Sequence, residues 1–408
     1  MYVDVHPRYR DTASAKTAQD ILSACVHCGF CLATCPTYLD SRDERDSPRG
    51  RIYLIKQLLE TGHATKQTRT HLDRCLTCRS CETTCPSGVA YGQLIDIGRE
   101  LVVEAAPRAP LVRGLRALLA KLLSSPYLFR ALLGVGQFFR PLVPKQLRRK
   151  IPPPSTRSTN PEQQHRRKML VLTGCVQSAA TPNTNAAAAR ILDQLGISLV
   201  AVERAGCCGA VNHHLDRQGD GLDNMRRNID AWWPHIEAGA EAIVSTASGC
   251  GSMLADYGDL LAMDLAYAAK ARRVSELTRD IGQILLPEDL SQLRLNTAIG
   301  KVAVHTPCSL QHALKLPLLI ADILTNAGFE LATTSDDHLC CGSAGTYSIL
   351  QPAISNRLLN AKMRALSHDK PSIIATGNVG CQLHIASETK IPIVHWVELL
   401  DPNFRFGQ

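Results

Sequence analysis

Residues 74–89, RCLTCRSCETTCPSGV, contain four cysteines in the spacing Cys-x2-Cys-x2-Cys-x3-Cys-Pro. Disulfides do not explain this run, because cysteines separated by two residues seldom reach the geometry of an S–S bond. Zinc is an alternative, since Cys-x2-Cys forms half of a tetrahedral thiolate site, but zinc sites usually pair two such halves across a longer gap. The spacing is typical of a bacterial-type 4Fe-4S cluster.

A second copy of the motif, CVHCGFCLATCP, occupies residues 25–36. In paired sites of this type, three thiolates of one motif hold one cluster and the fourth thiolate holds the other cluster. The two motifs therefore predict two 4Fe-4S clusters with crossed ligands. Cluster 1 would be held by Cys25, Cys28, Cys31 and Cys85, and cluster 2 by Cys75, Cys78, Cys81 and Cys35.

The stretch between the motifs is helical in character. It is 39 residues long, too many for a compact ferredoxin hairpin core, and SPRGRIYLIKQLLETG (47–62) has apolar residues at helical spacing between Pro48 and Gly62. We expect a helical ferredoxin-like domain over residues 1–105. His27, Arg74 and Arg79 adjoin predicted ligands, where they either adjust a reduction potential or face solvent.

The amino-acid composition indicates the cellular compartment of the protein. The chain has 408 residues, 45% of them hydrophobic, which is enough for two or three domains. The first residues, MYVDVHPRYR, carry charge without an apolar segment, and no stretch of 18 uncharged apolar residues follows. Sixteen cysteines fit a reducing compartment where thiols bind metals. These features predict a cytoplasmic protein.

Positive charge is concentrated in one segment. Residues 105–161 contain eleven Lys or Arg and no Asp or Glu, so the rest of the chain is at −3 although the total is +8. The part LVRGLRALLAKLLSSPYLFRALLGVGQFFRPLVP (111–144) predicts amphipathic helices broken near Pro126 and Pro141. Either their apolar faces pack into the core and their basic faces meet solvent, or the segment is a surface that meets anionic lipid or an acidic partner protein. Residues 106–165 thus form a basic helical segment that ends in a Pro-rich linker.

The second half of the chain contains an internal repeat. KMLVLTGC (168–175) aligns with KVAVHTPC (301–308), AGCCGA (205–210) with HLCCGS (338–343), and AIVSTASGC (242–250) with SIIATGNVGC (372–381). Each copy alternates short strands with helix-length stretches, which predicts parallel sheets with right-handed crossovers. We name residues 166–297 and 298–408 the first and second CCG modules. The predicted fold class is α plus α/β, a helical ferredoxin-like domain followed by two repeated α/β CCG modules.

The cysteines of each module follow predicted strands. The carboxyl ends of parallel strands line the crevice in which open α/β sheets bind ligands, so each set should converge. A further 4Fe-4S cluster, zinc, a redox-active Cys-Cys pair and a structural cysteine set all fit the pattern. The candidate ligands are Cys175, Cys207, Cys208 and Cys250 in the first module, and Cys308, Cys340, Cys341 and Cys381 in the second.

Taken together, these motifs resemble those of the bacterial glycolate oxidase iron-sulfur subunits. The likeness covers nearly the whole chain and includes ACVHCGFCLATCPTY, HLDRCLTCRSCETTCPSGV, PRGRIYLIKQ, GCCGAVNHHL and LCCGSAGTYS. It implies a three-part enzyme in which an FAD subunit oxidises glycolate to glyoxylate and this chain passes the electrons to quinone. It also implies a second flavoprotein-like subunit, a peripheral position on the inner membrane and no catalytic residue here. No G-x-G-x-x-G follows a strand, so FAD is expected only on the partner.

One feature departs from the wider CCG family, which includes heterodisulfide reductase subunits. That family is similar but ends its motif with Cys-x2-Cys. Here Ala247 and Met253 flank Cys250 at the corresponding distances, and the equivalent neighbours of Cys381 are an asparagine and a histidine. This difference argues against the non-cubane cluster of that family and leaves an ordinary 4Fe-4S cluster or one asymmetric site open.

Two other functions fit the same motifs. A related iron-sulfur subunit could serve lactate or glycerol-3-phosphate oxidation, because the flavin partner chooses the substrate. A heterodisulfide-reductase-like thiol/disulfide catalyst could act at the CCG crevice. Nucleic-acid binding is not expected, because the basic segment has few interleaved aromatic residues for base stacking.

Overall fold

The computed structural model describes residues 1–144, 148–154, 161 and 163–405, so the expected linker lies partly outside the described residues. The chain forms two compact units. The first comprises Met1–Ala117 and His338–Lys362, and the second comprises Leu118–Asp337 and Met363–Gln408. The first unit thus includes a segment that the sequence repeat assigns to the second CCG module. The boundaries of the four domains expected from the sequence remain a prediction.

The N-terminal part of the first unit is helical. Its core contains the fully buried side chains of Leu22, Ile55, Leu58, Leu94 and Ile95. Its helices are α1 (Ala13–Ala24), α2 (Pro36–Ser41), α3 (Pro48–Thr61), α4 (Lys66–Asp73), α5 (Ser80–Thr84) and α6 (Tyr91–Ala105), with 3-10 turns at Phe30–Leu32 and Glu44–Asp46.

Helix α3 shows why this sequence is helical. The side chain of Ser47 accepts a hydrogen bond from Gly50 N, and Pro48 occupies the first turn, where its missing N–H costs nothing. Ile52, Ile55, Leu58 and Leu59 form its buried face. The helix ends at Gly62, whose φ of +71° suits glycine. The predicted helix between the motifs is confirmed.

The second unit is built on two parallel sheets. The first sheet has the order β2-β1-β3-β4 and the second has the order β5-β6-β7. Their strands are β1 (Arg167–Val171), β2 (Ile197–Ala201), β3 (Ile243–Ser245), β4 (Thr278–Asp280), β5 (Val302–His305), β6 (Ile373–Thr376) and β7 (Ile393–His395). In register, Arg167 pairs with Ile197 and Val302 pairs with Ile373. The predicted α plus α/β fold class is confirmed.

Helices connect and cover these strands. Two apolar clusters of described residues lie among them, one with Ile191, Val244 and Trp396 and the other with Ile229 and Trp232. The helices are Gln177–Ala180, Pro182–Gln194, Ala210–His214, Gln218–Glu237, Ser248–Ala255, Tyr257–Leu260, Ala268–Leu277, Ile281–Leu285, Leu319–Asn326 and Val379–Ala386, with a π-helical turn at Ser309–Ala313 and 3-10 turns at Leu290–Gln292 and Trp396–Leu400. Two more, Tyr347–Leu350 and Pro352–Leu366, lie in or begin in the segment of the first unit.

The basic segment forms two helices, α7 (Pro110–Ser124) and α8 (Pro126–Phe138), followed by a 3-10 turn at Arg140–Leu142. The break at Pro126 is confirmed. Ala120 is the one buried residue of α7, and none of the residues of α8 is buried. The pair bends by 95°, and among the described residues no single helix is long and apolar enough to cross a membrane. Their apolar side chains are therefore largely exposed, which contradicts packing of this face into the core.

Candidate metal centres

The two cysteine motifs fold into loops with the same backbone pattern. In the first, His27 and Gly29 have φ of +56° and +83°; in the second, Thr77 and Arg79 have φ of +53° and +60°. These are the second and fourth residues after the first cysteine of each motif. Positive φ is uncommon for residues other than glycine and concentrates at functional sites. In the second loop it lets Thr77 N donate to Cys75 Sγ at 3.4 Å.

The four cysteines predicted for cluster 1 line one cavity, which we call site 1. Cys25 is buried, Cys28 is exposed, and Cys31 and Cys85 are half-buried. Burial raises the pKa of Cys31 to about 11, and the neighbouring thiolates add to the rise although Arg49 N–H opposes it. Thiols that oppose one another's ionisation suit a cationic metal centre, which replaces their protons.

The cysteines predicted for cluster 2 also lie close together, and we call their location site 2. Cys35, Cys75 and Cys81 are buried, and Cys78 is half-buried. Burial raises the pKa of Cys81 well above its ordinary value, and the other three thiols of the set are among the next causes. The donor sets of both sites therefore fit 4Fe-4S clusters. The crossed ligand assignment stays a prediction.

Site 2 adjoins a buried network of charges. Arg51 Nε donates to His71 O at 2.7 Å, and its terminal nitrogens donate to Thr37 Oγ1 at 3.1 and 3.2 Å. Thr37 Oγ1 lies 3.3 Å from Cys35 Sγ. Asp46 balances this charge: its Oδ1 is 2.8 Å from His71 Nδ1 and 3.6 Å from Arg51.

The three residues that adjoin predicted ligands have different surroundings. Arg74 Nη1 pairs with Asp46 Oδ2 at 2.9 Å and so joins the buried network. Arg79 pairs with Glu82 at 2.8 Å, and His27 Nε2 lies 3.2 Å from Met1 Sδ. Arg74 is therefore connected to the buried charges of site 2 through Asp46.

In the first CCG module the structure brings all four candidate cysteines together. The thiol of Cys207 hydrogen-bonds with those of Cys175 and Cys208, and Cys208 hydrogen-bonds with Cys250. Donation from its neighbours lowers the pKa of Cys207, while donating raises the pKa of Cys175 and Cys208. Four contiguous thiols with one favoured thiolate can hold a metal ion or a cluster.

The backbone of this Cys-Cys-Gly turn is fixed by residues that the sequence did not single out. Asn228 accepts from Gly206 N and donates to Cys207 O, both at 2.9 Å. Tyr257 Oη donates to Cys208 O at 2.8 Å. Gly209 has φ of +94°, and a Cβ there would lie 2.8 Å from Gly221 O. Glycine is therefore required at this position on two grounds.

The cysteines of the second CCG module divide between the two units. Cys340 and Cys341 belong to the first unit, whereas Cys308 and Cys381 belong to the second, each after a strand. Gly342 N donates to Cys340 Sγ at 3.4 Å, and Asn378 Nδ2 donates to Cys381 Sγ at 3.5 Å. The convergence of these four cysteines stays a prediction.

The segment His338–Lys362 packs within the first unit through polar contacts. Tyr347 Oη donates to Arg74 O at 3.0 Å. Arg357 Nε and Nη2 donate to the two carboxylate oxygens of Asp40 at 2.7 and 2.6 Å. Burial raises the pKa of Tyr347, and the thiols of Cys75 and Cys340 add to the rise. The Tyr347 hydroxyl therefore lies near a site 2 cysteine and a CCG cysteine.

Comparison with known proteins identifies the family of the chain. The family model of a 4Fe-4S dicluster domain matches residues 21–89, and that of a cysteine-rich domain matches residues 169–255 and 302–386. The glycolate oxidase iron-sulfur subunit of Escherichia coli strain K12 is 50% identical over 402 residues, which cover 98% of each chain. The chain belongs to the glycolate oxidase iron-sulfur subunit family. The family resemblance seen in the sequence is confirmed.

Members of this family are iron-sulfur, electron-transfer subunits of an oxidoreductase. The probable glycolate oxidase iron-sulfur subunit of Bacillus subtilis strain 168 is 29% identical over 92% of each chain. Lactate utilization protein A of Bacillus velezensis is 25% identical over 57% of this chain and 99% of its own length.

Sequence reasoning missed the buried polar residues around site 2, and a signal for two of them was present. Arg51 shares the apolar face of α3 with Ile55, and Arg99 shares that of α6 with Ile95. A cation on an apolar helical face is rarely buried without partners, so its position indicates a polar site within the core. Tyr91, also on α6, gave no comparable signal because tyrosine is ordinary in cores.

Proposed function

We propose that this chain carries electrons from an FAD subunit that oxidises glycolate to glyoxylate and delivers them to a membrane quinone. The observation that carries the proposal is the pair of cysteine loops, which have left-handed backbone at the same two positions. Together they present eight thiols in two sets. The membership of the glycolate oxidase iron-sulfur subunit family supports glycolate as the substrate of the partner.

A bound 4Fe-4S cluster supplies a one-electron carrier, which a two-electron flavin needs in order to pass its electrons on singly. The chain provides the ligands of each cluster and the environment of those ligands. Cys25, Cys28, Cys31 and Cys85 would hold one cluster, and Cys35, Cys75, Cys78 and Cys81 the other. Four of these eight cysteines are buried away from water, and N–H and O–H donors such as Thr77 N stabilise the negative charge of their sulfurs.

The CCG modules supply further metal sites in this proposal. The mutual hydrogen bonds of the four first-module thiols support a third cluster or a zinc ion there. The repeat extends the proposal to Cys308, Cys340, Cys341 and Cys381 in the second module.

The helix pair α7–α8 would place the complex on the cytoplasmic surface of the inner membrane. Large apolar side chains are exposed along it, among them Leu111 (85%), Tyr127 (80%) and Phe138 (78%). The segment from residue 105 to residue 161 has eleven cationic and no anionic side chains. An amphipathic helix with a basic polar face suits an anionic lipid surface. The remaining partners in the proposal are the FAD subunit and a second flavoprotein-like subunit.

The test of the proposal uses the complex purified with its native flavoprotein. Cys78→Ala should leave flavin reduction by glycolate intact while reduction of an added quinone falls to background. Val26→Ala is a matched control, because Val26 lies in a cysteine loop with its side chain 68% exposed. Full quinone reduction by the Cys78→Ala complex would refute the proposed route.

The similarity to lactate utilization protein A favours a lactate-oxidising partner as the second candidate. Glycolate, lactate and glycerol-3-phosphate should therefore be compared as reductants of the same purified complex. Flavin bleaching by lactate and not by glycolate would transfer the proposal to that substrate.

A further inference from the structure

A backbone N–H reaches a sulfur at both cluster sites, Thr77 N at Cys75 and Arg49 N at Cys31, but the sites differ in their side-chain donors. At site 2, Tyr91 Oη donates to Cys75 Sγ at 3.7 Å. A phenol has one proton to donate, so Tyr91 gives it to this sulfur. Tyr91 is buried, and the groups that act most strongly on the charge of its hydroxyl are Cys75, Arg51, Cys81 and Cys35. Although Tyr91 also lines the cavity of site 1, its hydroxyl serves site 2.

The sites also differ in buried charge. Arg99 Nη2 donates to Cys75 O at 2.7 Å and to Leu72 O at 3.1 Å, and its carboxylate neighbour Asp96 is 3.9 Å away. Arg51, the second buried guanidinium, shares Asp46 with His71 and Arg74. With the Arg79–Glu82 pair beside Cys81 included, four guanidiniums face three carboxylates, so site 2 has an excess of one positive charge.

Site 1 has no such excess among the described residues. Its arginine neighbour, Arg49, is bonded to Glu44 Oε1 at 2.8 Å, which offsets the guanidinium charge. The amino group of Met1 approaches Cys25 O at 3.4 Å, but it also bonds Ser23 O in a solvent-exposed position, where water screens it.

We propose that Tyr91, Arg51 and Arg99 raise the reduction potential of the cluster bound at site 2 above that of the cluster bound at site 1. The inference rests on the ligand assignment of the proposed function. A reduced cluster is more negative by one charge than the oxidised cluster, so hydrogen bonds to sulfur and nearby cations favour reduction.

Burial of the site 2 cysteines acts in the opposite direction, because a low dielectric disfavours the more negative form. The same low dielectric strengthens the attraction of each nearby cation. Arg99 bonds Cys75 O directly, and Arg51 bonds Thr37 Oγ1, which in turn lies 3.3 Å from Cys35 Sγ. At these short ranges the two guanidiniums outweigh the loss of solvent, and site 2 is the more easily reduced site.

The order of the two reduction potentials can be related to the position of each site within the first unit. The Tyr347 hydroxyl lies near both Cys75 of site 2 and Cys340 of the second CCG module. The site that holds an electron more strongly is therefore the one beside the segment His338–Lys362. Tyr91, Arg51 and Arg99 are positioning residues for this preference, since none of them is a cluster ligand.

The experiment is a redox titration of the full chain, reconstituted anaerobically and followed by electron paramagnetic resonance. Cys78→Ala should remove the N-terminal signal of higher potential, and Cys28→Ala the signal of lower potential. Tyr91→Phe should then lower the potential of the site 2 signal alone. Arg99→Gln should lower it further, and Arg99→Lys should restore part of the difference because the charge is kept.

Tyr53→Phe is the matched control, because Tyr53 is a half-exposed tyrosine on α3 and should leave both potentials unchanged. The inference is overturned if Cys78→Ala removes the lower-potential signal, or if Tyr91→Phe and Arg99→Gln both leave the site 2 potential where it was. Wild-type protein without two signals that depend on Cys28 and Cys78 would instead overturn the ligand assignment itself. Tyr91→Phe keeps the size and apolar character of the ring, so it is informative even if Arg99→Gln does not fold.

Discussion

The hydroxyl of Tyr347 donates a hydrogen bond to the backbone carbonyl of Arg74, 3.0 Å away, although 273 positions separate the two residues. Arg74 immediately precedes Cys75, so the bond ties the segment His338–Lys362 to the start of a cluster loop. The ion pair between Arg357 and Asp40 makes a second connection within the same unit.

Breaking these contacts should loosen that segment. Tyr347→Phe removes one hydrogen bond, typically worth about 1 kcal/mol, so amide hydrogen exchange in residues 338–362 should rise about fivefold. Arg357→Gln should have a smaller effect, because the guanidinium is half-exposed and screened by solvent. Arg45→Gln, which breaks an exposed local pair with Asp43, should leave the segment unchanged. Equal exchange in Tyr347→Phe and wild type would show that the hydrogen bond does not hold it.

The turn at Gly209 should not tolerate a side chain. Gly209→Ala combines a left-handed backbone with a Cβ that would lie 2.8 Å from Gly221 O, so we expect a loss of about 2–4 kcal/mol in the free energy of unfolding. Gly196→Ala is the control, because Gly196 also has positive φ but no atom within 4 Å of the added Cβ. Its loss should be about 1–2 kcal/mol. If urea unfolding gives similar losses of free energy for the two variants, the structure around Gly209 shifts to relieve the contact between the added Cβ and Gly221 O.

Metal analysis should detect sites beyond the two N-terminal clusters. Two clusters give about eight irons per chain, and a cubane in each CCG module would raise the count to about sixteen. Cys207→Ser removes the thiol at the centre of the first-module set, so the iron or zinc content should fall by one site while the N-terminal paramagnetic signals stay. Unchanged metal content in Cys207→Ser would make this a structural cysteine set.

Binding of the helix pair to membranes should depend on charge. Exchanging Arg113, Lys121 and Arg130 for Glu changes the local charge by six units and should release the protein from anionic vesicles. Binding of the wild type should also weaken as salt rises, since the Debye length is about 10 Å at 0.1 M.

A variant with the same change at exposed cations elsewhere, namely Arg272, Arg294 and Lys390, is the control for total charge. It should keep more vesicle binding than the helix-pair variant does. If the fraction of protein that sediments with vesicles changes neither with salt nor with charge reversal in the helix pair, the contact is purely apolar.

Stability should depend on pH through Asp280. Burial raises the pKa of this carboxyl to about 7 from 3.8, so the folded protein retains a proton that the unfolded chain releases above pH 4. The contribution of this retained proton to the free energy of unfolding is complete below about pH 4 and is lost as pH rises through 7. Asp280→Asn stays neutral and can still cap the helix Ile281–Leu285, so it should gain up to about 4 kcal/mol over wild type at pH 8.5.

The gain should be smaller at pH 6, where the wild-type carboxyl is largely protonated. Asp289→Asn provides the comparison, because Asp289 caps a surface turn and has a pKa lowered by its bond to Ser291. Thermal unfolding midpoints at the two pH values decide the matter. A gain of the same size at both would exclude titration of Asp280 as its cause.

The sequence predicted those features that depend on spacing along the chain. The helix from Pro48 to Thr61 follows from Pro48, an apolar face and a terminal glycine, and the parallel strands follow from the alternation of short strands with helix-length stretches. Surroundings that depend on distant residues could not be predicted in the same way. Asn228 reaches Cys207 O from the helix Gln218–Glu237, and Tyr347 reaches Arg74 O across 273 positions of the chain.

The basic segment shows a different limit. Its periodicity predicted α7 and α8, but an amphipathic pattern is the same whether the apolar face meets a core or a membrane. Exposure of Leu111 and Phe138 in the structure distinguishes these alternatives, because it depends on whether another part of the chain covers the helices.

The composition of the first unit has a consequence for synthesis. Met1–Ala117 leaves the ribosome early, but its last contributing segment, His338–Lys362, follows more than two hundred residues later. At ~5–20 residues per second the nascent N-terminal part waits roughly 10–45 s for that segment. During this interval the neighbourhood of Arg74 and Asp40 is uncovered, which leaves time and access for cofactor delivery. Cofactor loading during translation, followed by closure when residue 362 emerges, would then be the natural order of maturation.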